Sequence, residues 1–302
     1  MAARVNQLIY ENSHGVQTVL DGEIAPWREV MGRTGCSAPY VKYSETTYAN
    51  GVTETTSVSM LSRDVSLFFW MEGFDKAERI AAFRALKLKL LEVGKKNTWG
   101  KLKFRCSDET WLYLNCIYSG GLSSETETDA RFQNFVLDFH SADPLFYSDT
   151  ETSVNLTPTA ATGLKMSFQF GVGVKFRGVR SSVYQHIINL NSFMAYPEII
   201  VVGPASGIQF ENVATGKKIY FKNDFALVSG ESLKISTRPL YQKVEKTDTL
   251  SVVTDVTAQL AAGATLRWAL NHGNNLIKIS IAGMSEDTSC TMTYREGHLS
   301  LW

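Results

Sequence analysis

FQNFVLDFHSADPLFY, residues 132–147, begins as a strand and ends as something else. Phe135, Leu137 and Phe139 fall on one face of an extended chain, and Asn134, Asp138 and His140 fall on the other. Asp143-Pro144 then stops the ladder, because proline has no N–H to donate and pushes the residue before it toward an extended conformation. Leu145, Phe146 and Tyr147 follow as a short apolar anchor. A strand that halts at a proline and leaves three large apolar residues behind reads as the last strand of one domain, docking before the chain leaves for another.

Working back toward the N-terminus, period-two alternation continues. Val65, Leu67, Phe69 and Met71 alternate through RDVSLFFWMEG, and Leu102, Phe104 and Cys106 share a face in KLKFRC. WLYLNCIY, from Trp111 to Tyr118, is apolar on both faces, as expected of a central strand covered on each side. One segment breaks the pattern. FDKAERIAAFRALKLKLLEVG places Ile80, Phe83, Leu86, Leu90 and Val93 at helical spacing. Asp75 is the expected N-cap, Glu78 completes a capping box and Gly94 is the expected C-terminal cap. The spacing predicts one helix over about 75–93, packed on an antiparallel sheet. Residues 31–57, rich in Gly, Ser, Thr and Tyr, have little apolar periodicity and read as a long excursion or extended arm. Tyr40, Tyr43 and Tyr48 point to a surface that meets a partner.

Working forward, SDTETSVNLTPTAATG (148–163) is the linker candidate. Met166, Phe168, Phe170, Val172, Val174 and Phe176 then alternate with Ser, Gln, Gly, Gly, Lys and Arg, which predicts a strand bent at Gly171 or Gly173. Further short strands follow at the spacing of a β-sandwich: EIIVVG, GIQFEN, KKIYF, ESLKIST, TLRWAL, NLIKISIAG and CTMTYR. VATGKK, around Ala214-Thr215-Gly216, is a hairpin turn. These readings divide the chain into domains over 1–150 and 151–302.

Composition bounds the function. A chain of 302 residues favours two domains, and 44% hydrophobic with 20% charged residues is ordinary for a globular protein. Thirty basic and thirty acidic residues cancel, which removes the footprint of a nucleic-acid or membrane-surface binder. Cys36, Cys106, Cys116 and Cys290 show no CxxC or Cys/His ligand spacing and read as reduced, buried small hydrophobes, with a Cys106–Cys116 bridge as the lesser reading. No signal-peptide core and no membrane span is evident, so synthesis and folding in a cytoplasm are expected.

Catalytic and cofactor chemistry is not evident. GVGVKFRG contains GxG, but inside a strand with no helix after it to receive a phosphate. His14, His140, His186, His272 and His298 are scattered without metal spacing, and His140 reads as ordinary packing. No serine sits in a GxSxG elbow. Glu125, Glu127 and Asp129 share one side of SSETETDA and would suit a cation, yet nothing supplies the remaining ligands that calcium needs. No strand carries the inward acidic pairing of a β-sandwich glycosidase. No catalytic, cofactor-binding or metal residue is assigned, and an enzyme is disfavoured. Among the aromatics, Trp268 fits an inward strand position, whereas Trp27 and Trp99 sit in loop-like contexts suited to surface contact.

The ordered set of motifs resembles the distal tail proteins of long-tailed (siphovirus-type) bacteriophages. The resemblance runs from the Val65–Gly94 strand and helix through Leu102–Cys106 to FVLDFHSADPLFY. It continues with Tyr196-Pro197-Glu198-Ile199 leading to Gly203-Pro204, then FENVATGKKIYF, GESLKIST and RWALNHGNNLIKI. The last looks like the family's W-x-L-x-x-G-x-N turn, here Trp268, Leu270, Gly273 and Asn275. Ser192 stands where a glycine is common, and Ser236 where an aspartate is common.

The resemblance implies a mainly β chain of two domains. The first is an N-terminal antiparallel β-sandwich with one helix, which forms a ring. The second is a C-terminal galectin-like, carbohydrate-binding-module-like β-sandwich. It further implies a homohexameric hub at the distal end of the virion tail. Its partners would be the tail tube protein, a tail-associated hub, fibre or lysin protein, and receptor-binding proteins. Neither nucleic-acid binding nor membrane insertion is implied. The galectin likeness is architectural and does not confer sugar binding.

Three readings compete. The first is the structural hub. The second is a carbohydrate-binding module over 158–302 contacting host cell-wall glycans, which a glycan array would test. A β-sandwich glycosidase is the remote third. For the hub, the 31–57 segment is expected to add a strand to a neighbour's sheet, one arm given and one received per subunit, so that deleting residues 36–54 abolishes the ring.

Overall fold

The computed structural model describes residues 7–21, 27–47, 53–72, 76–90, 99–122, 132–158, 181–239 and 241–301. The chain divides into two compact units, Met1–Thr150 together with His298–Trp302, and Glu151–Gly297. The fold is mainly β, and its strand ladders pair antiparallel.

The first unit runs β1 (Gln7–Glu11), β2 (Gln17–Asp21), β3 (Trp27–Thr34), β4 (Val41–Thr47), β5 (Thr53–Met60), β6 (Arg63–Glu72), α1 (Lys76–Leu90), β7 (Gly100–Arg105), β8 (Trp111–Gly121), β9 (Phe132–Ser141) and β10 (Phe146–Ser148). One ladder has the order β2-β1-β7-β8-β10, and another joins β3, β6, β9 and β8. The strand β8 serves both. Trp111–Cys116 pair with β7, and the residues from Ile117 onward pair with β9, with a register shift between Tyr118 and Gly120. That is why WLYLNCIY carries apolar residues on both faces: Leu112 to Cys116 are all buried.

The alternation in β9 does what its sequence predicts. Phe135, Leu137 and Phe139 are buried and lie opposite Phe69, Leu67 and Val65. Burying a side chain of this size is worth about 1.5–3 kcal/mol. On the outer face Asp138 accepts from the Ser66 hydroxyl at 2.6 Å, and His140 Nδ1 lies 2.7 Å from Asp64 Oδ1. The strand ends at Ser141, whose hydroxyl lies 2.6 Å from the Asn115 carbonyl and 2.5 Å from that of Asp143. Tyr147 donates its hydroxyl to Asp143 Oδ2 at 2.6 Å, and Leu145, Phe146 and Tyr147 are all buried. The apolar anchor is therefore real, and its last part is the short strand β10 on β8.

The helix packs through Phe83, Leu86 and Leu90, with Phe83 edge-on to Phe135 at 5.1 Å. Ile80, expected on the buried face, is 42% exposed. At 100° per residue it lies about 85° from the mean direction of the three packed residues, at the margin of the apolar stripe. Asp75, Val93 and Gly94, expected at the helix ends, lie outside the described residues.

The second unit is a sandwich of β11 (Thr152–Asn155), β12 (Ser181–Ala195), β13 (Glu198–Val202), β14 (Ala205–Asn212), β15 (Lys217–Tyr220), β16 (Ala226–Leu227), β17 (Ser232–Ser236), β18 (Lys243–Thr247), β19 (Val253–Asp255), β20 (Leu270–Ala282) and β21 (Ser289–Tyr294). One sheet has the order β15-β14-β20-β12, with β16 on β14. The other has the order β11-β21-β13-β17-β18-β19. Phe210, Ile277, Ile279 and Ile281 from the first sheet share one core with Ile199, Val201, Leu233, Ile235, Val244 and Met292 from the second. A last strand, β22 (Glu296–His298), pairs with the end of β12 through Met194 and Ala195. Residues 298–302 count with the first unit.

One expectation is sharpened and two are corrected. Residues 31–57, read as a long excursion or an extended arm, form an arm with regular strands, because β3, β4 and β5 cover most of them. Their β-branched and tyrosine side chains favour extended backbone even where no face is buried, and apolar periodicity reports only burial. TLRWAL is not a strand, since regular pairing begins at Leu270. Trp27 opens the strand β3 rather than sitting in a loop, whereas Trp99 lies outside any strand, just before β7, and is half-buried. All four cysteines are free and buried, and strand register sets Cys116 opposite Gly100, six positions from Cys106. The predicted strand over Met166–Phe176 and the acidic set Glu125, Glu127 and Asp129 lie outside the described residues.

Candidate interaction surface

Strands β4 and β5 form a two-stranded sheet of their own. Val41 pairs with Met60, Tyr43 with Val58 and Thr47 with Thr53, and a register shift after Ser44 leaves Thr56 as the extra residue. Every side chain of β4 is exposed. Tyr40 is 84% exposed and Tyr43 is 59% exposed. An isolated two-stranded hairpin is marginal in water, because it has backbone bonds but no apolar layer to cover. Among the described residues neither strand joins a further strand, and an edge strand is a template for another chain.

The root of the hairpin is built differently. Leu61 N donates to the Tyr40 carbonyl at 2.9 Å, closing the base. Gly35 has φ of +77°, and a Cβ there would lie 1.9 Å from the Asp64 carbonyl oxygen, so only glycine brings the two strands this close. The next residue, Cys36, is buried, and its carbonyl accepts from Leu301 N at 3.2 Å. Arg63 is 4% exposed; it donates to the carbonyls of Gly35 at 2.9 Å and Leu299 at 2.7 Å. Its guanidinium also lies 4.5 Å from the centre of the Phe146 ring. Burial pulls that guanidinium down to about 10, with Cys36 and Asp143 acting in the opposite direction, and it stays charged at neutral pH. The arm is thus polar and exposed, and it stands on a rigid base. Tyr48 lies outside the described residues.

In the second unit the W-x-L-x-x-G-x-N residues build a pinned loop. Trp268 is fully buried and donates Nε1 to the Lys217 carbonyl at 3.2 Å. Asn275, 2% exposed, donates to the carbonyls of Asn271 at 2.8 Å and Gly273 at 3.2 Å, and its Oδ1 accepts from Asn271 N at 2.9 Å. Gly273 takes φ of +94° in the turn so formed. Buried Asn212 donates to the Ala269 carbonyl at 3.2 Å, and buried Asn189 to those of Leu270 at 3.2 Å and Asn271 at 3.3 Å. These amides bond backbone groups at the start of β20, where the ladder with β12 shifts register between Asn189 and Met194.

The same Asn212 shapes the predicted VATGKK turn, where its Oδ1 accepts from Ala214 N at 3.1 Å and its carbonyl from Gly216 N at 2.9 Å. Ser236, at the aspartate position, ends β17, and the neighbouring Thr237 hydroxyl donates to the Pro197 carbonyl at 2.8 Å. Ser192 lies within β12.

No chemistry gathers around the histidines. His140 pairs with Asp64, His186 Nδ1 lies 3.1 Å from Asn274 Oδ1, and His14 and His272 are exposed. Among the described residues no group of three or more His, Cys, Asp or Glu side chains could hold a metal, and no helix is long and apolar enough to cross a membrane. Sequence reasoning found the exposed tyrosines and the Trp268 and Asn275 positions. It missed Gly35, Arg63, Asn189 and Asn212. A lone arginine or asparagine carries no periodic signal, and its role becomes visible only with its carbonyl partners.

No family model and no curated protein matches the chain. Solved structures do. The crystal structure of the SPP1 Dit protein, described as a paradigm of the hub adsorption apparatus in phages infecting Gram-positive hosts, superposes with a TM-score of 0.60 at 15% identity, over 97% of this chain and 99% of that one. A chain of the phage P2 baseplate in its activated conformation gives a TM-score of 0.50 at 11% identity, over 97% and 98%. The chain has the fold of the phage distal tail hub proteins.

Proposed function

We propose that this protein is a structural, non-enzymatic subunit of a phage tail. It resides at the distal end of the virion after synthesis in the host cytoplasm. It forms a homohexameric ring that joins the tail tube to the tail tip or baseplate and anchors receptor-binding components. The ring is assigned to residues 1–150, and the outward, galectin-like role to residues 151–302. The partners are the tail tube protein, a tail-associated hub, fibre or lysin protein, and a receptor-binding protein.

One observation carries the reading: a regular β-hairpin with an all-exposed strand on a rigid root. Water alone gives such an arm little stability, whereas a neighbour's sheet edge would extend its two-stranded ladder and cover Tyr40 and Tyr43. In a closed ring each copy gives one arm and receives one, a heterologous contact that leaves no edge to recruit further copies. The fold shared with the SPP1 hub protein supports the same role.

Solution mass tests it. Light scattering and negative-stain images of the pure protein, alone and with a tail tube protein, are expected to give a six-membered ring. A protein that stays monomeric at high concentration under both conditions removes the hub reading.

A further inference from the structure

The second unit contains a cleft of about 410 Å³ lined by Tyr196, Lys217, Pro239, Gln242, Arg267 and Asn271 among others. That is the size of sites that hold a small ligand. Its charge is unusual for this unit. Every other described lysine here has a partner. Lys218 pairs with Glu211, Lys234 with Glu198, Lys243 with Glu245 and Lys246 with Glu231. Lys222 donates to the Ala258 carbonyl, and Lys278 lies over the Tyr184 ring. Arg295 pairs with Glu151, and Arg238 lies over Tyr241. Lys217 and Arg267 have no such partner among the described residues, and no described carboxylate lines the cleft. In a chain of zero net charge this is a local excess of two cations in one concavity.

The walls are held in place before any ligand arrives. Thr265 N donates to the Lys218 carbonyl at 2.8 Å and Trp268 Nε1 to that of Lys217, which ties the two cation-bearing segments together. Asn212, Asn189 and Asn275 fix Ala269, Leu270 and Asn271 from beneath. Gln242 is braced on the Leu266 carbonyl at 3.2 Å and the Thr237 carbonyl at 3.4 Å through Nε2. Its Oε1 faces no described donor, and neither does the Asn271 side-chain amide. Half-buried Tyr196 and Pro239 supply apolar faces. A preorganised site loses little to ordering on binding.

We infer that this cleft binds an anionic saccharide. Its phosphate or carboxylate is held by Lys217 and Arg267, its hydroxyls by Asn271 and Gln242, and its C–H face by Tyr196 and Pro239. Two cations answer the anion with charge-assisted bonds, and the neutral amides and ring faces answer the sugar. The inference goes beyond the hub reading and does not rest on it.

Calorimetric titration of the full-length protein tests it with four probes: glucose 1-phosphate, glucose, inorganic phosphate and a glutamate-rich peptide. The sugar phosphate is expected to bind at least about tenfold more tightly than glucose or inorganic phosphate, and to lose at least about tenfold in K217A/R267A and in Tyr196→Ala. Equal binding of glucose 1-phosphate and inorganic phosphate overturns the proposal, because charge alone then explains the site. Binding of the peptide with silence from the sugar phosphate overturns it in favour of an acidic protein segment, and silence from all four overturns it outright. If the double variant fails to fold, the four-probe comparison on the unaltered protein still decides. Ring mass reads a different part of the chain, so failure of either test leaves the other standing.

Discussion

The β4–β5 hairpin and the loop from Thr265 to Asn275 are both polar in sequence, and the molecule treats them in opposite ways. In the hairpin a ladder pairs the backbone, so the side chains of β4 are left exposed. In the loop the ladder with β12 begins only at Leu270 and shifts register between Asn271 and Gly273, so three asparagine side chains are drawn inside to bond the carbonyls around that break. Polarity in a sequence therefore does not say whether a side chain meets water. What decides is whether the main chain has found partners without it, since an unpaired buried N–H or C=O costs more than a hydrogen bond returns.

The largest expected effect comes from the hairpin. Replacing residues 41–60 with a short Gly-Ser linker is feasible because Tyr40 and Leu61 are already bonded at the base. This cut is better than deleting 36–54, which removes buried Cys36 and strands most of β5. Light scattering should show a monomer in place of the ring, with the melting temperature unchanged. A variant that remains a hexamer breaks the contrast at its exposed side.

In the loop, truncation should unfold rather than disassemble. Trp268→Ala removes a fully buried indole and orphans the Lys217 carbonyl, at a cost of about 3–5 kcal/mol, read by urea denaturation. Asn275→Ala leaves the Asn271 backbone N–H and the Asn271 and Gly273 carbonyls without that amide, and is expected to cost roughly 2–3 kcal/mol. If either variant melts like the unaltered protein, the asparagine account of the loop is wrong.

Gly35→Ala probes the other side, because it strains the root without touching the exposed arm. The left-handed φ and the contact with Asp64 predict a loss of roughly 1–3 kcal/mol, again read by urea denaturation. The smallest effect belongs to an ordinary surface cluster. Burial raises the Glu11 carboxyl, but hydrogen bonds from Lys103 and Gln17 and the charges of Lys103 and Lys101 outweigh it and hold the group below its ordinary 4.5. A carboxylate depressed in the folded state contributes stability above its unfolded value and loses it as pH falls through the folded one. Between about pH 6 and pH 3 the unaltered protein should lose slightly more stability than Glu11→Gln, measured by melting temperature. An equal loss would remove Glu11 from the acid response.

Much of the fold was legible because its signals are local. Phe135, Leu137 and Phe139 alternate because one face is buried, and the proline marks where that strand must stop. The Phe83, Leu86 and Leu90 spacing locates the helix, but it does not set the width of the face it buries, so Ile80 was misplaced. TLRWAL alternates like a strand, yet the segment bends to seat Trp268 over the Lys217 carbonyl. The 31–57 segment hid its strands because nothing covers β4, and burial is what periodicity records.

Local sequence was enough to determine the antiparallel β character, the helix, the reduced cysteines and the importance of Trp268 and Asn275. Each of these follows from period, turn chemistry or composition within a few residues. Tertiary structure alone settled that Gly35 and Arg63 clamp a hairpin, that Asn189 and Asn212 hold a loop far along the chain, and that Lys217 and Arg267 share one cleft. Those depend on groups 28 to 236 positions apart in the chain, such as Arg63 with the Gly35 and Leu299 carbonyls, and no local pattern can encode which distant carbonyl a lone side chain will meet.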